Sequence, residues 1–448
     1  VQPAPGAPTL SLSQAVALAL ERNFGLLSQG DALDDARISV KAASAAFHPR
    51  LTPRYQRGPE DAQSFSLEAF QRLPWTGATL TGSGRLGQTS DAQGPASHSA
   101  GLNLTLTQPL LRGFGPNATY FTLRSSRRFR TAQERAFELA RQGVALQVAQ
   151  AFYQVVKQRQ LLEVARGSRG RNESLKTASD ARVKVGLDTK LDLLRAEVQA
   201  AQAQESEVRA ETGLAAALEN FRVVLGLAPG ETVEPEEVAL AEVPSFELEP
   251  LEVLLLRAQE RRLELKNAAD DVAEAERAAK LAGQNLLPQL DLSVSVDQAG
   301  VGPGIGEAWR AGDSRVSVLV TTSYPLERSA AQADRARAAI ALEARKRALR
   351  QRELEIDAEV RNAVREIEGI RKSVELQRKS VEFAEQQHRL ATLRYQRGLA
   401  SSLDVVQAEE NLVLSRTSLV NLLTDLQVAR INLQRVTGAF DLAAEFGL

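Results

Sequence analysis

The stretch "RYQRGLASSLDVVQAEENL" (Arg394–Leu412) decides the fold, because it occurs twice. Upstream, "RVKVGLDTKLDLLRAEVQA" (Arg182–Ala200) aligns with it without a gap at an offset of 212. The two share Arg182/Arg394, Gly186/Gly398, Leu187/Leu399, Leu191/Leu403, Asp192/Asp404, Ala196/Ala408 and Glu197/Glu409, seven identities in nineteen positions and too many for chance. Each copy reads as the end of one helix, a glycine suited to the left-handed position that stops it, and a new helix starting near Thr189 or Ser401. The chain therefore carries one helical reversal twice.

Working outward, proline maps the rest. There is none from 117 to 228 and none from 326 to 448. Proline inside a helix costs about 3 kcal/mol, so each block reads as a long helix, the glycine turn and a shorter helix ending near Gly226 or Gly438. A helix from 117 to 184 would span roughly 100 Å at about 1.5 Å per residue. In the second block, Leu349, Ile356, Val360, Ala363, Ile367, Ile370, Val374, Val381, Ala384, Ala391 and Tyr395 follow three-and-four spacing, interrupted by Glu353, Gln377 and His388. Leu412, Leu419, Leu422, Leu426, Ala429, Leu433 and Val436 repeat it after the turn, which predicts an antiparallel coiled hairpin.

The duplication reaches further upstream. Glu21, Arg22, Leu26, Asp31, Ala36, Ala43, Pro49 and Leu51 match Glu260, Arg261, Leu265, Asp270, Ala275, Ala282, Pro288 and Leu290 at a constant offset of 239. Both copies then change period from about 3.6 to 2. "QLDLSVSVD" (289–297) and "GLNLTLTQPL" (101–110) alternate apolar and polar residues, as strands do. Each repeat is helix, strands, long helix, turn, helix. Sixty residues separate Pro49 from Pro109 but only 37 separate Pro288 from Pro325, and "SFSLEAFQRLPWTGATLTGSGRL" (64–86) reads as an extra hairpin with its turn at Pro74–Gly77. Since both flanking helices lie on one side, the strand count is even: two strands with long loops, the favoured reading, or four. The domain division is 1–228, an acidic linker at 229–250 with seven glutamates and no Lys or Arg, and 251–448.

Composition excludes several functions. Lys+Arg total 55 against 56 Asp+Glu and aromatics make up 5%, so neither a basic field nor stacking platforms favour nucleic acid. With no cysteine there is no disulfide or thiolate site. His48, His98 and His388 lie far apart without helix-spaced partners, and no metal site or cofactor is expected; His388 reads as a polar, register-setting interruption of the seam. "GSGRLG" (82–87) lacks the strand–turn–helix context of a dinucleotide fingerprint and reads as strand. No catalytic constellation is evident, and the chain is not expected to be an enzyme. Arginines at 124, 127, 128, 130, 335, 337, 345 and 347 read as a solvated helix face, with anionic membrane groups as the sharper alternative. No run of about 18 apolar residues exists, which excludes an ordinary transmembrane helix but not a closed barrel of alternating strands.

A reversal alone does not call for Asp192 and Asp404 at matching positions one turn into the next helix. If several hairpins stand in a ring, the two carboxylates converge at its tip, select cations and raise one another's pKa.

At this point the chain resembles the TolC-like outer-membrane efflux proteins, from "LSLSQAVALALERN" (10–23) through "LTQPLLRGFG" (106–115) and the repeated turn to "RINLQRVTG" (430–438). The resemblance implies a mainly α chain of two tandem repeats. It implies a homotrimer whose pooled strands form a 12-stranded, or alternatively 18-stranded, outer-membrane β-barrel in contact with lipid, continued by a periplasmic coiled-coil tube. A chain starting at Val1 then reads as one whose signal peptide has been removed. Function would be passive export, with a periplasmic adaptor and an inner-membrane pump supplying the energy. The tips at Gly186, Leu187, Gly398 and Leu399 would meet the adaptor. Asp192 and Tyr395 match the family's gate and Asp404 its aspartate constriction. Two positions depart: Ala400 stands where the best-known member has a gate arginine, a role Arg397 or Arg195 would have to take, and Gln407 stands where it has a second aspartate. Drug efflux, metal efflux and protein secretion remain open. The rival reading is a soluble coiled-coil scaffold, which explains the heptads but not the paired period-2 segments.

Overall fold

The computed structural model describes residues 9–58, 62–89, 96–228, 231, 233–238 and 248–440. In chain order, β1 (Thr9–Leu10), α1 (Leu12–Arg22) and α2 (Phe24–Ala45) precede four strands: β2 (Arg50–Arg57), β3 (Gln63–Arg72), β4 (Thr79–Thr89) and β5 (Ser97–Pro109). Then come α3 (Pro116–Thr119), α4 (Phe121–Lys184) and α5 (Lys190–Leu225), with β6 (Glu234–Pro235) between the repeats. The second repeat comprises α6 (Leu251–Arg261), α7 (Leu263–Gln284), β7 (Gln289–Gly302), α8 (Ile305–Ala311), β8 (Asp313–Ser323), α9 (Ser329–Gln396) and α10 (Ser402–Val436). The chain divides into a helical unit (1–30, 136–263, 353–448) and a strand-bearing unit (31–135, 264–352).

In the helical unit, α1 starts at a capping box in which Ser11 and Gln14 exchange bonds, and it ends at Asn23. The Asn23 side chain then accepts from the Leu26 amide at 3.2 Å, so the next helix starts at once. The core is built on Val16, Val148, Phe152, Val155, Phe221 and Leu225, all nearly inaccessible, with Phe152 and Phe221 edge to face at 6.2 Å. Ala15, Ala19, Ala145 and Ala149 fill the remaining contacts, their short side chains letting the helices pack closely around the two phenylalanines. The duplication is visible in space. Gly226 ends α5 at φ 73° against the Arg22 carbonyl, and Gly438 ends the second repeat at φ 66° against Arg261. A Cβ at Gly226 would stand 2.5 Å from that carbonyl oxygen, so the glycine is required twice over.

The seam read from the sequence is buried at Ile356, Val360, Ala363, Ile367, Val374, Ala384 and Tyr395 on α9, and at Leu412, Ala429, Leu433 and Val436 on α10. Off-seam Val420, Leu423 and Ile431 are buried as well, so α10 packs on more than one side. Not all of the acidic stretch is solvated. Glu234 pairs with Arg159 at 2.7 Å, and Pro235 is buried where β6 pairs in parallel with β1. Residues 229, 230, 232 and 239–247 of that linker lie outside the described residues.

The strand-bearing unit is one antiparallel sheet in the order β2-β3-β4-β5-β7-β8. The first repeat thus contributes four strands, not the two favoured from the sequence. The extra hairpin is the one read at 64–86: β3 pairs with β4 in register from Gln63↔Gln88 to Arg72↔Thr79, with its turn at 73–78. Strand β2, the counterpart of β7, joins β3 from Arg50↔Phe70 to Arg57↔Gln63. Direct pairing puts side chains of equal parity on one face. One face carries Leu51, Pro53 and Tyr55, then Phe65, Leu67 and Ala69, then Leu80, Gly82, Gly84 and Leu86. It continues through Leu102, Leu104 and Leu106 to Leu292, Val294 and Val296 and ends at Val316, Val318 and Val320. The other face is polar: Arg54 pairs with Glu68 at 3.7 Å, Thr107 bonds Ser293 at 3.1 Å, Ser295 bonds Ser317 at 2.7 Å, and Asn103 donates to Asp297. An apolar face open to the surroundings opposite a polar one is the signature of a barrel wall between lipid and water. Of the arginines read as a solvated face, Arg128 and Arg345 pair with Asp271, Arg130 with Glu134 and Arg337 with Asp334.

Candidate functional site at the hairpin tips

Both turns close in the same way. Gly186 adopts φ 75°, its amide reaches the Val183 carbonyl at 3.0 Å, and the Leu187 amide reaches back to Arg182 at 2.9 Å. Gly398 repeats this at φ 74°, with bonds to Tyr395 at 2.9 Å and from Leu399 to Arg394 at 2.8 Å. This double bond pattern satisfies the last carbonyls of a helix and requires the left-handed residue. It leaves Leu187 and Leu399 projecting, 66% and 74% exposed.

The next helices start at Thr189 and Ser401, each the first member of a capping box. Thr189 Oγ1 donates to Asp192 Oδ2 at 2.6 Å, and Asp192 Oδ2 also accepts the Thr189 amide at 3.3 Å. Ser401 and Asp404 repeat this, both bonds at 2.8 Å. The paired aspartates thus have a local cause that the sequence argument overlooked: each caps its own helix. Their carboxyls are held below the ordinary value, Asp192 chiefly by the Thr189 hydroxyl and Asp404 chiefly by the Ser401 amide. Within the chain this is opposite to the rise expected of a ring of like charges. Asp192 has a second tie, because the buried Ser402 hydroxyl donates to its Oδ1 at 3.0 Å, and Arg195 stands 3.7 Å away.

Tyr395 does not reach Asp192. Its hydroxyl donates to Asp188 Oδ2 at 2.6 Å and bonds Ser179 Oγ at 2.7 Å, with the residue only 2% exposed. Arg182 completes the cluster, its Nε 3.1 Å from Asp188 Oδ2 and its guanidinium 4.8 Å above the Tyr395 ring. Burial, then the Asp188 bond, push the Tyr395 phenol upward, so it stays a donor. Sequence reasoning missed Asp188 because it lies outside the duplicated set, opposite Ala400. Arg182 was in that set without a role.

A second cluster joins three helices. Arg171 on α4 grips Glu409 on α10 with Nε at 2.7 Å and Nη2 at 2.9 Å, and His388 Nε2 on α9 lies 3.2 Å from the same carboxylate. Arg416, held by Glu385 at 2.7 Å, adds a further charge nearby. Burial, followed by Arg171 and Arg416, depresses the His388 pKa against the opposing pull of Glu409. An unfolded chain therefore takes up this proton first as pH falls below about 6.5. The stabilisation is complete above that value and is lost as pH falls through the folded pKa. The melting temperature should drop between about pH 7.5 and 5.5, and His388→Gln should flatten that slope; an unchanged slope would remove His388 as its cause.

A sheet with one lipid-type face and two open edges, joined in sequence to long capped hairpins, defines a membrane duct protein rather than a soluble scaffold. The family profile described as "Outer membrane efflux protein" matches residues 15–227 and 254–439, and the chain belongs to that family. No curated protein sequence matches it. Among solved structures, CusC is 17% identical with a TM-score of 0.73, covering 95% of this chain and 91% of its own. VceC from Vibrio cholerae is 16% identical with a TM-score of 0.72, covering 95% and 96%. The open state of MtrE from Neisseria gonorrhoeae is 16% identical with a TM-score of 0.71, covering 95% and 88%. At such identities these likenesses establish the fold. The protein is an outer-membrane exit duct for export, not an enzyme, and extends from the outer membrane into the periplasm.

Proposed function

We propose that three copies close one barrel of eighteen strands, six from each, and that the hairpin tips gate the duct. The observation that carries this is the six-stranded sheet with unpaired edges at β2 and β8. An even number of antiparallel strands leaves these two edges running in opposite directions, so β8 of one copy can pair antiparallel with β2 of the next. Neither edge is tolerable alone in a membrane, where every backbone group needs a partner. Barrels of about 16–18 strands leave an aqueous channel.

The repeats, 1–228 and 251–448, each supply one hairpin, so three chains contribute six. A single hairpin per chain would leave the wall half built. In the closed state Tyr395, Asp188 and Arg182 latch α4 to α9, while Asp192 and Asp404 set a negative constriction that favours cations. Leu187 and Leu399, exposed beside Gly186 and Gly398, supply apolar contacts for a periplasmic adaptor. Transport is passive, and an inner-membrane pump provides the energy.

Conductance of the detergent-purified protein in planar bilayers tests the reading. Wild type should insert with a small conductance. Tyr395→Phe, which loses one hydrogen bond to a charged group worth about 1.5 kcal/mol, should shift the open population roughly tenfold. Channels unaffected by Tyr395→Phe would keep the duct and discard this latch; a protein that never inserts would discard the duct.

A further inference from the structure

We infer that α8 is a lateral lipid anchor, folded over the outer face of the barrel wall with Ile305 and Trp309 set among the lipids of the cell-surface leaflet. The inference rests on the outer-membrane reading above and adds a contact that the barrel alone does not provide.

The side on which α8 lies follows from two glycines. A Cβ at Gly300 would stand 2.1 Å from the Ala308 carbonyl oxygen, and one at Gly302 would stand 2.8 Å from the Ala308 amide. Both therefore point at α8, and both share the parity of Val294 and Val296 on β7. That is the apolar face, the one turned to lipid. Ala308 is fully buried against the sheet over Ala100, and Gln298 Nε2 donates to the Trp309 carbonyl at 3.3 Å. Only glycine lets the helix backbone come so close, so the packing is built in rather than incidental.

The height of α8 fits as well. The long helices join the sheet at the start of β2 and β7 and the end of β5 and β8, which marks the periplasmic end. Helix α8 lies between the end of β7 and the start of β8, at the opposite, cell-surface end. The chain has two tryptophans. Trp75 occupies the β3–β4 turn at the periplasmic end, 68% exposed, and Trp309 is 44% exposed on α8. From Ser293, level with Thr79 beyond that turn, to Gly300 beneath α8 is seven residues on β7, roughly 24 Å along the strand. Strand tilt shortens that height and the reach of the two rings extends it, leaving it close to the apolar band of about 25 Å in such barrels. Tryptophan is the residue of both membrane interfaces. Ile305, 48% exposed, adds an apolar contact, while Glu307 and Arg310 suit the polar headgroup level where a short helix lies flat.

The test uses the tryptophan count. Trp75→Phe leaves Trp309 as the sole emitter, reconstituted in vesicles of phospholipid brominated at shallow acyl positions. Lipid bromine should take roughly half of its emission, with little loss to aqueous iodide. Quenching by iodide and not by brominated lipid would overturn the inference, since Trp309 would then face water or the lumen. Trp309→Phe reports Trp75 in the same vesicles; if neither residue senses lipid, the outer-membrane reading falls with the anchor. Should Trp75→Phe fail to fold, the difference between wild type and Trp309→Phe gives the same signal. Gly300→Leu should push α8 off the wall and reduce lipid quenching of Trp309; retained quenching would show that the glycine contact does not hold the helix there.

Discussion

Asp188→Ala should open the closed duct more than any other single change at the tip. The carboxylate accepts from the Tyr395 hydroxyl at 2.6 Å and faces Arg182 at 3.1 Å, and both bonds are lost together. Charge-assisted bonds contribute about 1.5–3 kcal/mol each, and because these two share one acceptor their sum is not the measure. A loss of about 2 kcal/mol shifts the closed–open equilibrium roughly 25-fold, read as raised conductance in planar bilayers. Asp192→Ala is the control. It removes a helix cap worth about 1 kcal/mol and the Ser402 contact, but leaves Tyr395 and Arg182 paired, so its leak should be smaller. Equal leak from the two variants would return the gate to Asp192. The cluster also breaks the internal symmetry of the chain. Tyr395 corresponds to Val183 and Asp188 to Ala400, so the duplicated hairpins carry one such cluster per chain and not two.

Much of this was legible because long helices need few rules. The absence of proline, the seam spacing and two glycines placed both hairpins to within a residue or two. Alternation placed β5 and β7, whose leucines and valines are regular. It failed at β2, where "RLTPRYQR" offers only Leu51, Pro53 and Tyr55 on the apolar side and a proline within the strand. Proline is tolerated there because β2 is an edge of the sheet in the single chain. Helix α8 lay hidden in "GPGIGEAWRAGD" (302–313), a glycine-rich stretch that reads as loop until Gly300 and Gly302 are seen to admit it. Asp188 escaped for the opposite reason. Comparison of the copies highlights what they share, and a cluster that exists once is invisible to it. The shared aspartates, in turn, owed much of their matching to helix capping.

Glu409→Ala should cost the most stability of any charge change in the hairpins. The carboxylate is nearly inaccessible, at 5% side-chain exposure, and it alone holds Arg171 in a two-point grip while also meeting His388. Removing one partner of a buried pair typically costs about 3–5 kcal/mol, since the other charge stays behind without compensation. Arg171 is 29% exposed and can turn partly to water, which sets the expectation near the lower end, about 3 kcal/mol. Differential scanning calorimetry should register it as a lowered melting temperature. Glu409→Gln, which keeps one acceptor for Arg171, should recover part of the loss. Arg171→Ala should cost most at neutral and higher pH and less as the pH falls, because losing Arg171 removes a charge that depresses the His388 pKa and lets a protonated His388 become the cation on Glu409. An Arg171→Ala variant whose melting temperature no longer depends on His388 would show that the three helices are joined elsewhere. Glu197, the repeat counterpart of Glu409, is the natural comparison: it sits at the same register of the first hairpin, and Glu197→Ala should leave the unfolding free energy within about 0.5 kcal/mol of wild type, the margin of an ordinary surface change.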